Sequence, residues 1–287
     1  MPIHLIEAGI VTSQRAAHVA EAPTLLAPAF VDRLQPAKHV RIPFIPRDRW
    51  LTAARESCRT LAEAVTASLR AGAFPVVLGG ECTLVAGTVS GALAHDPELH
   101  LIYLDAHADF HTLATTQTHE ISSMCLAHLC SRPAAALLWP GAKRIADDRV
   151  MLVGGRVMDA GEAGNLARTR VARVAFDADH AEARGVLTAT RHKAVWVHLD
   201  LDLIDPADWG AVVQPEPGGP PIGAVAELLR GLAAIGTVRG IEVCGYDPSK
   251  DPGKPKLAGV LANLIAEICP ALSGGRAPSP SSRSSSR

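Results

Sequence analysis

The chain has 287 residues, 48% of them hydrophobic but only 4% aromatic, with 28 basic and 29 acidic side chains and a formal net charge of -1. That length and apolar share suit one large α/β domain with an aliphatic core, and the even charge excludes the basic excess of a nucleic-acid binder. No run of about 18 apolar residues occurs, so no membrane span is expected.

Met1 to Ala20 shows no basic start followed by an apolar stretch, and the six cysteines, at positions 58, 82, 125, 130, 244 and 269, form no CxxC pair. Reduced thiols in a cytoplasmic protein are the expectation. His4 to Ile10 reads as a strand near one edge of a sheet. Leu51, Ala54, Cys58, Leu61, Val65 and Leu69 recur at helical spacing. Short apolar runs then predict strands at Pro75 to Leu78, Leu99 to Leu104, Arg149 to Val153, Val171 to Phe176, Ala194 to Leu199 and Val238 to Val243. Ala224 to Ile235 and Leu257 to Ile268 carry helical periodicity. This alternation predicts an α/β fold with a mostly parallel sheet and helices on both faces. Residues 1–272 read as one domain. Residues 273–287, nearly all Ser, Pro, Arg and Gly, cannot bury apolar surface and read as a disordered tail.

Three polar segments follow strands: Ala106 to Ser122, Asp205 to Pro221 and Val243 to Pro255. Ligands of open parallel sheets bind beyond the carboxyl ends of strands, so chemistry is expected there. Asp105-Ala106-His107-Ala108-Asp109 places three metal-ligand types at alternate positions, and in an extended segment all three would point the same way. His198-Leu199-Asp200-Leu201-Asp202 repeats the alternation at another strand end. Carboxylates gathered so closely repel unless protonated or bound to a cation. Mixed Asp and His donors suit manganese, zinc, iron or nickel.

These segments carry a resemblance. Gly79-Gly80-Glu81-Cys82-Thr83, Asp105-Ala106-His107-Ala108-Asp109 and His198-Leu199-Asp200-Leu201-Asp202-Leu203-Ile204-Asp205-Pro206 resemble the signatures of the arginase, or ureohydrolase, family, which read GGDHS, DAHxD and SxDxDxxDP. Pro215-Glu216-Pro217-Gly218-Gly219 is similar to a turn the family places after its third signature. The resemblance implies a three-layer α/β/α fold, two divalent ions, manganese foremost, and a homo-oligomer. It implies a small guanidino substrate as partner, with neither nucleic acid nor membrane.

Carried over by position, the metal ligands would be Cys82, Asp105, His107, Asp109, Asp200 and Asp202. Asp105 and Asp200 would bridge the ions, and Asp109 would also orient the attacking water. Glu242 would grip the guanidinium. His111 and Thr118 would fall on positions that hold a substrate carboxylate. Asp159 and Glu162 would fall on the acids that receive an α-amino group, which favours an amino-acid substrate; acids in the first turn of a helix explain the pair equally well.

The chain also departs from the family. Cys82 stands at the position of a histidine ligand, either as a ligating sulfur or as a buried inert thiol. Ser122 stands at the position of a proton-shuttle histidine, for which His119 is the substitute within reach. Both departures resemble a subgroup that acts on Nω-hydroxy-arginine in antibiotic biosynthesis. The expected reaction is hydrolysis of Nω-hydroxy-L-arginine or L-arginine to hydroxyurea or urea and ornithine. Agmatine, guanidinobutyrate or a formimino amino acid are the rival substrates, and a metal-poor relative without catalysis is the rival role.

Overall fold

The computed structural model describes residues 1–130, 136–177, 184–235, 238–251, 253 and 257–270. The Ser/Pro/Arg-rich segment at 273–287 lies outside them. Eight parallel strands form one sheet in the order β2-β1-β3-β8-β7-β4-β5-β6. They are β1 (Ile3–Ala8), β2 (Lys38–Arg41), β3 (Phe74–Gly79), β4 (His100–His107), β5 (Val150–Val157), β6 (Ala172–Val174), β7 (Val195–Asp200) and β8 (Val238–Cys244). The helices are α1 (Ala22–Leu34), α2 (Trp50–Arg70), α3 (Val85–His95), α4 (Cys125–Leu129), α5 (Ala160–Leu166), α6 (Arg184–Thr190), α7 (Ile222–Ile235) and α8 (Ala258–Ala266).

The layers follow from the pleat. Successive strand residues point to opposite faces, and parallel strands must be joined by crossovers. Leu78, Ile102, Leu104, Val197, Leu199 and Ile241 pack on one face against α1, α7 and α8, through Phe30, Leu229 and Leu261 among others. Val77, Leu101, Tyr103, Leu152 and Trp196 pack on the other face against α2 and α3, through Leu61, Val65 and Val89. Each fully buried Val, Leu or Ile contributes about 1.5–3 kcal/mol, so this double core stabilises the sheet despite its few aromatics.

The strand expected near one edge, β1, lies second, and the edge strand is β2, four largely exposed residues. One expectation is corrected. The second apolar run continues past Leu104, so that β4 carries Asp105, Ala106 and His107 within the ladder. The topology sets the site. β3 and β4 are consecutive in sequence yet separated by β8 and β7. Chains therefore leave the middle of the sheet in opposite directions, which opens a crevice at the carboxyl ends of these four strands.

Candidate metal centre and the cavity above it

Each carboxylate reaches the crevice by its own local device. β4 is irregular against β5: Asp105 pairs with Gly154, and His107 with Val157. Such bulges re-aim side chains at strand ends. Gly154 permits the approach, because its φ is +106° and a Cβ there would lie 2.4 Å from the Asp105 carbonyl oxygen. The Asp105 carboxylate folds back to accept the His107 N–H at 2.7 Å. After β7 the chain turns into a 3-10 helix, Leu201–Leu203, whose first N–H groups are capped by Asp200, with Asp202 N–H 2.9 Å from Asp200 Oδ1. This turn, rather than an extended alternation, brings Asp202 beside Asp200. Asp109 likewise leaves the pleat, with a left-handed φ of 50°.

The donors converge in two groups that share Asp105. Ligand atoms of Asp105, His107 and Asp202 all lie within 4.8 Å of one another, as do those of Cys82, Asp105 and Asp109. His107 Nδ1 is 2.9 Å from Asp202 Oδ2, and Cys82 Sγ is 2.8 Å from Asp200 Oδ2. All four aspartates are buried, between 1% and 6% exposed. Burial first, then the charge of Asp202, pushes Asp105 well above the ordinary carboxylate range and Asp200 up to about 6. Burial raises Asp109 as well, against hydrogen bonds that lower it. Burial opposes protonation of His107, yet its bonds to Asp105 and Asp202 win and push it up to about 12. Without a cation, the cluster thus recruits protons to offset its charge. A donor set so buried, so acidic and so closely spaced fits divalent ions.

Asp109 has two further partners that the sequence did not reveal. The Tyr103 hydroxyl donates to Oδ2 at 2.5 Å and the Cys125 thiol donates to the same oxygen at 3.2 Å. Tyr103 stacks on His198 with ring centroids 4.1 Å apart and planes 5° apart. His198 in turn holds Glu242: Nδ1 to Oε1 is 2.8 Å, with both side chains wholly buried. Glu242 does not reach the cavity, contrary to its expected role as the guanidinium grip. The reason lies one strand over. The first position of the third signature holds the bulky His198, whose ring fills the space beside Glu242.

Above the aspartates opens a cavity of about 700 Å³. The expected substrate residues His111, Thr118, Asp159 and Glu162 line it. His111 Nε2 is 3.6 Å from Asp159 Oδ2 and 4.0 Å from Glu162 Oε2. Asp159 does cap α5, its Oδ1 accepting the Glu162 N–H at 2.9 Å, and its other oxygen stays free to face His111. Glu162 accepts the Phe110 N–H at 2.8 Å, and burial raises it to about 7. His119 is placed otherwise than expected. It is exposed, holds a left-handed φ of 57° and does not line the cavity, because Thr116 captures its N–H and turns the loop outward. Ser122 and Ser123 line the cavity instead.

Sequence reasoning missed Glu81 and Glu216. Glu81 accepts both the N–H and the hydroxyl of Thr12 at 3.0 Å, and burial raises it to about 7. Glu216 Oε1 lies 3.5 Å from His107 Nε2. Arg156 fixes this lip. Its guanidinium donates to the carbonyls of Asp202 at 2.9 Å, Leu203 at 3.0 Å and Glu216 at 2.6 Å. Among the described residues, no helix is long and apolar enough to cross a membrane.

Comparison with known proteins agrees with this architecture. The family model of the arginase family matches residues 18–270. The chain is 27% identical over 280 residues to an N(omega)-hydroxy-L-arginine amidinohydrolase of Streptomyces lavendulae, covering 92% of this chain and 95% of that one. It is 32% identical over 231 residues to an arginase of Bacillus caldovelox, covering 77% of each. The crystal structure of an arginase from Bacillus cereus superposes with a TM-score of 0.84 at 24% identity, covering 93% of this chain and 97% of that one.

Proposed function

Because the chain belongs to the arginase family, hydrolases of C–N bonds in linear amidines, we propose that it hydrolyses Nω-hydroxy-L-arginine to hydroxyurea and ornithine at a two-metal centre. The observation that carries the choice of substrate is the His198–Glu242 pair. A guanidinium is a cation and pairs best with a carboxylate at its end of the cavity. Here one oxygen of that carboxylate is bound to an imidazole and the side chain lies outside the cavity lining. A hydroxyguanidine is less basic and enters more readily as the neutral group, which needs no such partner. The similarity to the Streptomyces lavendulae amidinohydrolase supports the same reading.

Asp105, His107, Asp200 and Asp202 would hold one ion, and Cys82, Asp105, Asp109 and Asp200 the other. Manganese is the ion typical of the family. Such ions, when bound, supply Lewis acidity and lower the pKa of water. The chain's own residues supply the rest. Asp109 is anchored through Oδ2 by Tyr103 and Cys125, which leaves Oδ1 to take a proton from the attacking water. That proton must then reach the amine nitrogen that departs as the C–N bond breaks, and Asp109 is the carrier. Asp159 and Glu162 would receive the α-amino group, and Thr118 with His111 the carboxylate. The burial of Asp105, Asp109, Asp200 and Asp202 lowers the local dielectric and strengthens the contacts these four make.

The test is a comparison of kcat/KM on Nω-hydroxy-L-arginine, L-arginine and agmatine with manganese-loaded protein, with hydroxyurea and urea measured separately. A preference for the hydroxylated substrate is expected. A clear preference for L-arginine or agmatine would sink the proposal.

A further inference from the structure

Amidine hydrolysis leaves the sulfur side of the centre unexplained. Cys82, Cys244 and His198 bring two thiols and an imidazole together, their ligand atoms all within 4.8 Å of one another. The two Sγ atoms are 3.6 Å apart, and Cys244 Sγ is 3.7 Å from His198 Nε2. A carboxylate oxygen lies beside both sulfurs: Asp200 Oδ2 is 2.8 Å from Cys82 Sγ and 3.4 Å from Cys244 Sγ. A tetrahedral ion with bonds of about 2.3 Å to sulfur and about 2.0–2.1 Å to nitrogen has donor–donor edges of about 3.4–3.8 Å. Three of these four separations fall within about 0.2 Å of that range, and the fourth, at 2.8 Å, is a thiol–carboxylate hydrogen bond that a bound ion would replace.

The imidazole is set for this role. Glu242 accepts from Nδ1, which turns Nε2 toward Cys244, where it would offer its lone pair to an ion in place of a proton. Orientation of a ligating histidine by a carboxylate on its far nitrogen is the usual outer support of a metal site. Stacking on Tyr103 fixes the ring plane. Gly245 lets the chain close behind Cys244: its φ is +81°, and a Cβ there would lie 2.2 Å from Asp200 Oδ1.

We propose that Cys82, Cys244 and His198, with Asp200 as fourth donor, form a tetrahedral site for a borderline-soft divalent ion such as zinc. Sulfur and imidazole donors select zinc over manganese, whereas Asp105, His107 and Asp202 make an oxygen-rich group that suits manganese. The centre is therefore divided by donor chemistry into a soft side and a hard side. The inference touches the hydrolase reading in Cys82 and Asp200, which that reading gives to its second ion; an ion on the soft side would take that second ion's place.

Cobalt serves as the optical stand-in for zinc. Full-length protein is stripped with a chelator, kept reduced and titrated with Co(II), and the near-ultraviolet sulfur-to-cobalt band is recorded. The wild type is expected to show a band of two-thiolate intensity that zinc abolishes. Cys82→Ser and Cys244→Ser should each lose one sulfur's share, and Cys244→Ser should weaken cobalt binding by more than about tenfold. A band that Cys82→Ser removes but Cys244→Ser leaves intact would overturn the proposal, as would the absence of a band in the wild type. If Cys244→Ser does not fold, the wild-type intensity decides, two sulfurs supporting the site and one overturning it. Manganese binding, followed separately by electron paramagnetic resonance, should persist in Cys244→Ser. Its absence from the wild type would sink the hydrolase reading and leave the cobalt result standing.

Discussion

His198 and Glu242 face each other across β7 and β8, Nδ1 2.8 Å from Oε1, and neither side chain touches solvent. The pair keeps a carboxylate out of the cavity lining and turns an imidazole toward Cys244. One residue thus bears on both the proposed guanidine grip and the proposed donor set.

His198→Ser restores the small residue of the family signature. It should free Glu242 toward the cavity and shift the kcat/KM ratio toward L-arginine by about tenfold or more, the value of one charge-assisted hydrogen bond of roughly 1.5–3 kcal/mol. Stability should fall, because the ring vacated beside Tyr103 leaves a void. An unchanged substrate ratio in folded protein would show that Glu242 stays beyond the substrate's reach.

Tyr103→Phe keeps the stacked ring and removes the donor to Asp109. Cys125 remains as a second donor. We expect kcat to fall by about tenfold with KM little changed, since the lost bond, roughly 1.5–3 kcal/mol, holds the proton carrier rather than the substrate. Steady-state kinetics would detect the opposite pattern, a raised KM at constant kcat.

Glu162 is held at about 7 by burial, above the ordinary value of 4.5. The folded state then binds more protons than the unfolded state between those two values, so stability must fall as pH rises through that window. Thermal unfolding of metal-free protein between about pH 5 and pH 7 should show this decline. Glu162→Gln keeps an acceptor for the Phe110 N–H and should make the decline shallower, the raised Asp105, Asp109 and Asp200 contributing to the rest of it. Glu81, also raised to about 7, preserves part of the slope. A slope identical in wild type and variant would mean that Glu162 titrates normally.

Divalent ions should stabilise the protein strongly, because burial first, and the charge of Asp202 second, disfavour the ionised forms of Asp105 and Asp200, and a cation offsets both. At a free manganese concentration about a hundredfold above Kd, unfolding should cost about 2.7 kcal/mol more. Asp105→Asn should lose most of this gain, since Asp105 belongs to both donor groups. Equal unfolding temperatures with and without manganese would contradict a metal centre here.

Much of this was legible in the chain because it depends on local order. Apolar runs ending in Asp105 and Asp200 announced buried parallel strands with carboxylates at their tips. β2 was not legible: Lys38, His39, Val40 and Arg41 are an exposed edge with no apolar pattern. Nor was α3, whose small residues are buried on every side and so show no amphipathic period. At the site, the ligand types could be read from spacing. The partners of Asp109 and Glu242 could not, because Tyr103, His198 and Glu242 meet only through cross-strand register. The direction of His119 is not legible for another reason: loop spacing cannot say which way a left-handed residue turns the chain.

The Arg156 clamp has a consequence for the cavity lining. Four carbonyl bonds, to Asp202 and Leu203 and to Glu216 and Pro217, weld the Glu216 lip to the turn after β7. Arg15 and Glu120, which also line the cavity, form an exposed ion pair at 3.1 Å, and such surface pairs contribute only about 0–1 kcal/mol. The lining is thus held unequally, on one part by a guanidinium bound to main-chain carbonyls and on another by a pair that water competes with.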